Sequence, residues 1–223
     1  MAHCLVTGAN RGIGLALCTL LSRRGEQVIA ACRDSSAELD ALGVRVVSGV
    51  DVGDADSVAQ LARELEGQPL DWLLNNAGVL RRDMLGAIRD DALDDVYLQF
   101  RVNSVGPLLV TQALLGNLQA GSKVGIVTSR MGSVGDNTSG GYYGYRMSKA
   151  AVNAAGKSLA VDLKDRGVAV AVLHPGYVRT EMVGGGGDVE PEEAAGGLIA
   201  RMDELTLDSS GSFWHAKGQE LPW

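Results

Sequence analysis

The sequence predicts an α/β protein with a single-domain Rossmann fold: a doubly wound parallel sheet of about seven strands, with helices on both faces. Short apolar segments alternate with segments of helical period along the whole chain, which is typical of repeated βαβ units. The length of 223 residues suits one such domain, expected over residues 1–223, and no change in composition marks a boundary. Aromatic residues make up only 4% of the chain, so aliphatic side chains must build the core.

The predicted strands are short apolar runs separated by helical patterns. In chain order the strands cover residues 4–7, 28–32, 44–50, 72–75, 123–128, 168–173 and 212–214. The helical patterns cover residues 12–24, 54–66, 91–118, 145–166 and 191–205. Pro191 suits the start of the last helix, because the first helical position needs no N–H. Four consecutive glycines at residues 184–187 predict a mobile loop within a short substrate lid near residues 181–190.

Composition excludes several classes of partner. The net charge is −7 and the sequence contains no cluster of Lys and Arg, so we expect neither nucleic acid nor a membrane surface as a partner. Cys4, Cys18 and Cys32 lack the paired spacing of a zinc site, and no metal site is predicted. We interpret them as buried, reduced thiols, and the apolar start of the chain as a strand rather than a signal peptide. A cytoplasmic protein is therefore expected.

A glycine-rich segment follows the first predicted strand. Gly8, Gly12 and Gly14 stand where the strand passes into a helix. Glycines there let the backbone turn tightly and approach a pyrophosphate, whose charge the helix N-terminus then meets. A glycine-rich connection that binds nothing is the alternative, but its place in an alternating α/β chain favours a dinucleotide site.

Tyr145 and Lys149 are spaced four residues apart in a helical pattern. That spacing places both side chains on one face of the helix. A free phenol has a pKa of about 10, too high for an efficient proton acceptor at neutral pH. We expect the Lys149 ammonium, together with an oxidised nicotinamide, to lower the pKa of Tyr145. The alternative is an ordinary surface pair of a helix.

Two further polar residues complete the predicted catalytic group. Ser129 ends the fifth strand, where its hydroxyl reaches the same edge of the sheet and can bind the substrate oxygen; Ser133, in the following loop, is the rival for that role. Asn103 precedes Pro107 by four residues. Because proline has no N–H, the carbonyl of Asn103 loses its helical partner, and we expect a kink there and a carbonyl free to hold a water. A kink needed only for packing is the alternative.

These motifs together resemble the short-chain dehydrogenase/reductase family. The spacing of the three glycines, the Asn75-Asn76-Ala77-Gly78 segment, Asn103, Ser129 and the Tyr145–Lys149 pair all have counterparts in that family. Residues 142–153, 210–213 and 221–223 most resemble its C-factor and Sniffer-type carbonyl reductase branch. The resemblance implies a single NAD(P)-binding domain with Asn103, Ser129, Tyr145 and Lys149 as catalytic residues.

The resemblance also implies the cofactor contacts. Besides Tyr145 and Lys149, the expected residues are Gly8, Asn10, Arg11, Gly12, Ile13, Gly14, Asp51, Val52, Asn76, Ala77, Gly78, Pro175, Gly176, Val178 and Thr180. Cys32 occupies the position where an acidic residue would select NAD, and Arg33 follows it. Arg33, with Arg11 as a second charge, can meet a 2′-phosphate. NADP(H) is therefore favoured, but NAD(H) stays possible because the acidic Asp34 is close to the selecting position.

The predicted activity is hydride transfer between a nicotinamide and a carbonyl or alcohol carbon, as in a carbonyl reductase (EC 1.1.1.-). An NAD(P)-binding regulatory or signalling protein with little turnover is the alternative from another class. Nucleotide-sugar epimerisation or dehydration is a third reading, and it would need a larger C-terminal substrate domain. The helical segments 91–118 and 145–166 have apolar positions on more than one face, which predicts a subunit interface. The resemblance implies that this interface forms a homodimer or homotetramer.

Overall fold

The computed structural model describes residues 1–89 and 92–223 in full and residues 90 and 91 as backbone only. Seven strands form one parallel sheet in the order β3-β2-β1-β4-β5-β6-β7. Their bounds are β1 His3–Thr7, β2 Gln27–Ala31, β3 Arg45–Val47, β4 Leu70–Asn75, β5 Leu118–Val127, β6 Ala169–His174 and β7 Ser212–His215. The predicted doubly wound fold with seven strands is confirmed.

The helices cover both faces of this sheet. Their bounds are α1 Gly12–Arg23, α2 Ala37–Asp40, α3 Ala55–Glu64, α4 Asp90–Phe100, α5 Gly106–Ala113, α6 Tyr143–Asp162 and α7 Pro191–Glu204. One core contains buried residues of α1 and α7, such as Leu17 and Leu198. The opposite core contains those of α3, α5 and α6, such as Leu61, Val110 and Val152. Aliphatic side chains dominate both cores, as the low aromatic content predicts.

The strand order reverses between β1 and β4. β1 pairs with β2 on one side and with β4 on the other. The connections that leave the carboxyl ends of these strands therefore diverge, which opens a crevice at that edge of the sheet. Because β5 and β6 follow β4 in the sheet, residues at their carboxyl ends, including Ser129 and Pro175, are brought to the same edge.

The long helix predicted over residues 91–118 is divided in three. α4 is followed by a π-helix at Arg101–Val105, and α5 then continues to Ala113. The N–H of Gly106 donates to the carbonyl of Arg101, the i+5 pairing of a π-helix. Asn103, where a kink is predicted, lies within this π-helix, about one turn before Pro107.

Several element bounds differ from the predictions. β5 begins at Leu118 because a turn at Gly116 and Asn117 ends the helical segment, and the Asn117 amide donates to the carbonyls of Leu65 and Gln68 at 2.6 and 2.8 Å. The short α2 was not predicted; its first turn is capped by Ser36, whose hydroxyl accepts the N–H of Leu39 at 3.2 Å. None of the helices in the described part of the chain is long and apolar enough to cross a membrane.

Candidate active site

The glycine loop between β1 and α1 approaches its neighbours more closely than any side chain would allow. Gly8 and Gly12 have φ of +64° and +54°, in the left-handed region that favours glycine. A Cβ on Gly14 would lie 2.1 Å from the carbonyl oxygen of Gly8, and one on Gly8 would lie 2.8 Å from Cα of Ala77. The loop therefore exposes bare backbone beside the N-terminus of α1, the cradle that a pyrophosphate requires.

A cleft of about 750 Å³ runs from this loop across the carboxyl edge of the sheet. Its lining includes all predicted cofactor residues except Gly176 and Val178. Although the chain has a net charge of −7, the cleft walls carry more cations than anions. The cations are Arg11, Arg33, Arg81, Arg101, Lys149 and Arg179, and the anions are Asp34, Asp51 and Glu181. This local excess of positive charge suits a polyphosphate ligand.

The cleft's end beside β2 has the residues expected to select the cofactor. Cys32 is 2% exposed at the end of β2, while Arg33 and Asp34 are exposed next to it. Arg33 makes no ion pair or side-chain hydrogen bond within the described residues, and its guanidinium is available to a ligand. The carboxylate of Asp51 accepts the N–H of Gly53 at 2.8 Å, which shapes the turn after residue 50. Arg101 also lines this part of the cleft and was not predicted from the sequence.

Arg11 has a partner that sequence reasoning did not foresee. Its guanidinium lies 2.6 Å from the carboxylate of Glu181, an exposed ion pair between the glycine loop and the segment after β6. Exposed pairs of this kind contribute little to stability. Arg11 can therefore leave Glu181 for a ligand at little cost, although in this structure the pair joins the two walls of the cleft.

Tyr145 and Lys149 line the cleft's other end, and Ser129 lies beside Tyr145. Tyr145 is half-buried in the first turn of α6, and the hydroxyl of Ser129 lies next to its hydroxyl. Lys149 is 4% exposed, and its Nζ lies 5.8 Å from the centre of the Tyr145 ring. That Nζ donates to the carbonyl oxygen of Val127 at 3.0 Å, which fixes the lysine against the end of β5. The i, i+4 spacing thus brings both side chains to one site.

Burial dominates the protonation of this group. It raises the pKa of Tyr145 to about 12, and the neighbouring Ser129 hydroxyl opposes that rise only in part. Burial also lowers the pKa of Lys149 to about 8. The expected lowering of the Tyr145 pKa by Lys149 is not found: loss of solvation raises that pKa, and the one effect that opposes the rise is the Ser129 hydroxyl. At neutral pH, Tyr145 holds a proton and Lys149 is charged.

Asn103 is held in place from two sides. Its Oδ1 accepts the N–H of Val79 at 2.8 Å, and its Nδ2 donates to the Val79 carbonyl at 2.8 Å and to the Ser148 hydroxyl at 3.0 Å. A Cβ on Gly78 would lie 3.2 Å from Oδ1 of Asn103 and 3.6 Å from Nζ of Lys149. The structure therefore brings Asn103 and Lys149 to the same side of Gly78.

The structure separates the two candidate serines. The hydroxyl of Ser133 donates to the carbonyl of Trp223 at 3.2 Å and accepts the N–H of Asp136 at 3.1 Å, so it stabilises the loop in which it lies. Ser129 instead stands beside Tyr145, with its Oγ accepting the N–H of Met131 at 3.1 Å. Of the two serines, only Ser129 lies where its hydroxyl and that of Tyr145 could bind the same ligand atom.

The segment after β6 is arranged around the glycine loop. Thr180 lines the cleft, and its methyl carbon would lie 3.3 Å from a Cβ on Gly12. Val178 is buried and bridges to Val189, and Gly176, with φ of +98°, lies beside His215 rather than on the cleft wall. Of the predicted nicotinamide segment, the structure therefore brings Pro175 and Thr180 to the cleft wall, but not Gly176 or Val178.

Thr7 is a site residue that sequence reasoning missed. Its hydroxyl accepts the N–H groups of Asn76 and Ala77 at 3.0 and 3.1 Å. The Asn76 amide donates in return to the carbonyls of Thr7 and Gly8 at 3.0 and 3.2 Å. Together these bonds join the glycine loop to the Asn-Asn-Ala-Gly segment. A threonine directly before the first glycine was the only available signal.

Comparison with known families agrees with this geometry. The family model described as short chain dehydrogenase matches residues 2–188. The chain is 44% identical over 229 residues to 1-hydroxy-2-glutathionyl-2-methyl-3-butene dehydrogenase of Rhodococcus sp. (strain AD45), with 100% of both chains covered. It is 42% identical to C-signal of Myxococcus xanthus over 157 residues, which cover 70% of this chain and 93% of that protein.

Solved structures give the same result. Carbonyl reductase Sniffer of D. melanogaster superposes with a TM-score of 0.91 at 29% identity, over 100% of both chains. The NADPH-bound carbonyl reductase from chicken fatty liver superposes with a TM-score of 0.90 at 29% identity, over 100% of this chain and 99% of that one. The resemblance to the C-factor and Sniffer-type branch is confirmed.

Proposed function

Because the chain belongs to the short chain dehydrogenase family and is an oxidoreductase, we propose that it is an NADP(H)-preferring carbonyl reductase with Tyr145 as its proton donor. The observation that supports this most strongly is a single cleft whose lining extends from the glycine loop to Tyr145 and Lys149, with Ser129 beside Tyr145. When bound, the nicotinamide supplies the hydride or accepts it.

The protein's own groups handle the proton. With a pKa raised to about 12 by burial, Tyr145 is a neutral phenol near pH 7 and can protonate an oxygen that receives a hydride. The neighbouring Ser129 hydroxyl is placed to orient that oxygen. Lys149, whose lowered pKa of about 8 leaves it charged at neutral pH, would stabilise the phenolate that remains. We assign Asn103 the role of holding the segment after Gly78 and, through its carbonyl, a water that links Lys149 to solvent.

Charge at the β2 end of the cleft supports NADP(H). The free Arg33 guanidinium and the absence of an acidic residue at Cys32 favour a 2′-phosphate. The glycine loop, with Asn10, Arg11, Ile13 and Asn76, would hold the pyrophosphate half. Asp51 and Val52 would meet the adenine, and Thr180 the nicotinamide amide.

We further propose that residues 181–190 form a short lid over the substrate. The lid's base is closed by the Val178–Val189 bridge and by the N–H of Arg179, which donates to the Val189 carbonyl at 2.9 Å. Its glycines leave little side-chain volume above the cleft, which favours medium-sized carbonyl compounds. The relative of 44% identity is named for a glutathionyl alcohol, so such an alcohol belongs in the substrate panel for the oxidative direction.

Two proposals concern the molecule's surroundings. The three cysteines are free and buried, which supports a reducing, cytoplasmic location. Apolar side chains are exposed on α4 and α5 at Tyr97 and Leu108, and on α6 at Val161. They support a homodimer or homotetramer built on these helices.

The decisive experiment measures binding and turnover separately. NADPH and NADH are titrated into the protein, and aldehydes, ketones, diketones and a glutathionyl alcohol are then assayed by nicotinamide absorbance, with Tyr145→Phe as the matched variant. We expect tighter binding of NADPH, turnover of at least one carbonyl, and loss of turnover but not of binding in Tyr145→Phe. Tight binding without turnover would instead favour a regulatory protein, and no binding of either cofactor would contradict the proposal.

A further inference from the structure

The segment directly after the Asn-Asn-Ala-Gly motif is fastened at every second residue. The backbone of Val79 pairs with the amide of Asn103, and the N–H of Arg81 donates to Oε1 of Gln99 at 2.9 Å. Asp83, two residues further, reaches the N-terminus of α6. We call residues 79–83 the strap. It joins the α4 side of the site to the helix that carries Tyr145 and Lys149.

Asp83 receives three consecutive N–H groups of the α6 N-terminus. Its backbone carbonyl accepts the N–H of Tyr142 at 3.1 Å. Its two carboxylate oxygens accept the N–H of Tyr143 and, at 2.8 Å, that of Gly144. An α-helix leaves its first N–H groups without internal partners, and a carboxylate is their most favourable acceptor. Asp83 thus caps the helix two residues before Tyr145, although it lies about sixty positions away in sequence.

Two local features are explained by this cap. Tyr142 has φ of +52°, the only positive φ of a non-glycine residue in the described chain. A left-handed residue before a helix turns successive N–H groups toward one point, the arrangement that binds anions. A Cβ on Gly144 would lie 2.6 Å from Nε2 of Gln99 and 3.0 Å from Oδ2 of Asp83. Glycine at 144 therefore lets the helix end reach the strap.

We infer that Asp83 is a positioning residue, which sets the height and orientation of Tyr145 by holding the first turn of α6 against the strap. This inference rests on the proposed role of Tyr145. Because the cap fixes the helix start two residues before Tyr145, it controls the distance of the Tyr145 hydroxyl from Ser129. Displacements of about 1 Å are enough to slow such chemistry by about a hundredfold. Asp83 itself does not line the cleft that holds the cofactor residues.

The test compares Asp83→Ala and Asp83→Asn with Arg82→Ala, a change of the exposed neighbouring residue. We expect Asp83→Ala to lower kcat at least about tenfold while the NADPH dissociation constant stays within about twofold, since the cap touches Tyr145's turn and not the glycine loop. Asparagine keeps one acceptor oxygen and caps helices well, so Asp83→Asn should lie between Asp83→Ala and the wild type. Arg82→Ala should leave kcat unchanged.

Amide hydrogen exchange separates this inference from the proposed function. In Asp83→Ala, residues 142–145 should exchange faster, while exchange in β5 and α1 stays as in the wild type. This readout needs no substrate, so it holds even if the wild-type protein turns over none of the carbonyls assayed. Unchanged exchange at residues 142–145, or an unchanged kcat beside a lost turnover in Tyr145→Phe, would overturn the inference.

Discussion

Lys149, a proposed catalytic residue, lowers the stability of the fold that holds it. Lys149 is 4% exposed, and among the described residues its ammonium has one hydrogen bond, to the carbonyl of Val127. Burial lowers the lysine's pKa to about 8, whereas the unfolded chain titrates near its ordinary value of about 10.4. Below pH 8 the folded protein must keep a charge that it solvates poorly. That cost is full below pH 8 and disappears as pH rises to the unfolded value.

We therefore expect Lys149→Met to be inactive and more stable than the wild type at pH 7, by on the order of 2 kcal/mol. The advantage should shrink as pH rises from 8 to 10.5. Urea unfolding across that range measures it, with Lys164→Met, a change of an exposed lysine beyond the C-terminus of the same helix, as the control. A Lys149→Met protein that is less stable at pH 7 would contradict this account.

Arg33 provides a second prediction for a single residue. Its guanidinium makes no ion pair or side-chain hydrogen bond with the described residues, and a 2′-phosphate would give it a charge-assisted hydrogen bond, which contributes roughly 1.5–3 kcal/mol. Replacing Arg33 by Ala should then weaken NADPH binding about tenfold or more and leave NADH binding nearly unchanged. Asp34→Asn is the matched change of the neighbouring acidic residue, and it should not weaken NADPH. Equal loss of both cofactors in Arg33→Ala would show that Arg33 does not select between them.

At the scale of elements, the contact between α6 and the turn after β5 fixes where Tyr145 and Lys149 lie relative to Ser129. Gly132 lies in that turn, and a Cβ there would lie 2.7 Å from the backbone carbonyl carbon of Lys149. Neither atom belongs to a flexible side chain, so the helix would have to shift. The shift would move Lys149 and Tyr145 away from Ser129, which precedes the turn.

Gly132→Ala should consequently destabilise the protein by roughly 1–3 kcal/mol and lower kcat about tenfold to a hundredfold. The chain offers a close control in Gly116, whose added Cβ would meet nothing within 4 Å. Gly116→Ala should keep full activity and the stability of the wild type or slightly more. Equal kcat values for the two variants would mean that the turn does not position α6.

Local patterns predicted these elements unevenly. The strands that form the centre of the sheet are continuous apolar runs, and they lie within one or two residues of their predicted bounds, except β5. The segment 91–118 was predicted as one helix with a kink at Asn103, because helical periodicity does not distinguish a π-bulge from a kinked helix. β5 begins with the exposed residues Gln119, Ala120 and Gly121, which have no strand pattern. They lie in the irregularity between the Leu70–Leu118 and Trp72–Lys123 pairs with β4, which no local pattern reveals.

The predicted site shows the same limit. Tyr145, Lys149 and the glycines were recognisable because their spacing along one segment is itself the signal. The Asp83 cap and the Arg11–Glu181 pair join residues that are far apart in the sequence. Which side chains meet there depends on the folded backbone. The direction of the Tyr145 pKa shift likewise depends on how deeply the side chain is buried, which the sequence pattern does not reveal.

At the scale of the whole molecule, charge is distributed unevenly. The chain has a net charge of −7, yet cations outnumber carboxylates along the cleft. Acidic surface outside the cleft repels other polyanions, while the cleft attracts a compact one. This distribution favours a nucleotide cofactor over nucleic acid, and it also leaves the exposed apolar side chains of α4, α5 and α6 as the surface suited to contact another copy of the chain.

That surface gives the last prediction. Tyr97 is 64% exposed and Val161 66% exposed, on helices that pack against each other, so both can lie in one interface of a dimer or tetramer. We expect sedimentation to show an oligomer for the wild type and a monomer for Tyr97→Glu combined with Val161→Glu. Leu207→Glu, a change of an exposed apolar residue in the loop before β7, should leave the oligomer intact. A wild-type monomer at micromolar concentration would contradict the prediction. If the double variant is monomeric and still turns over substrate, each subunit holds a complete site.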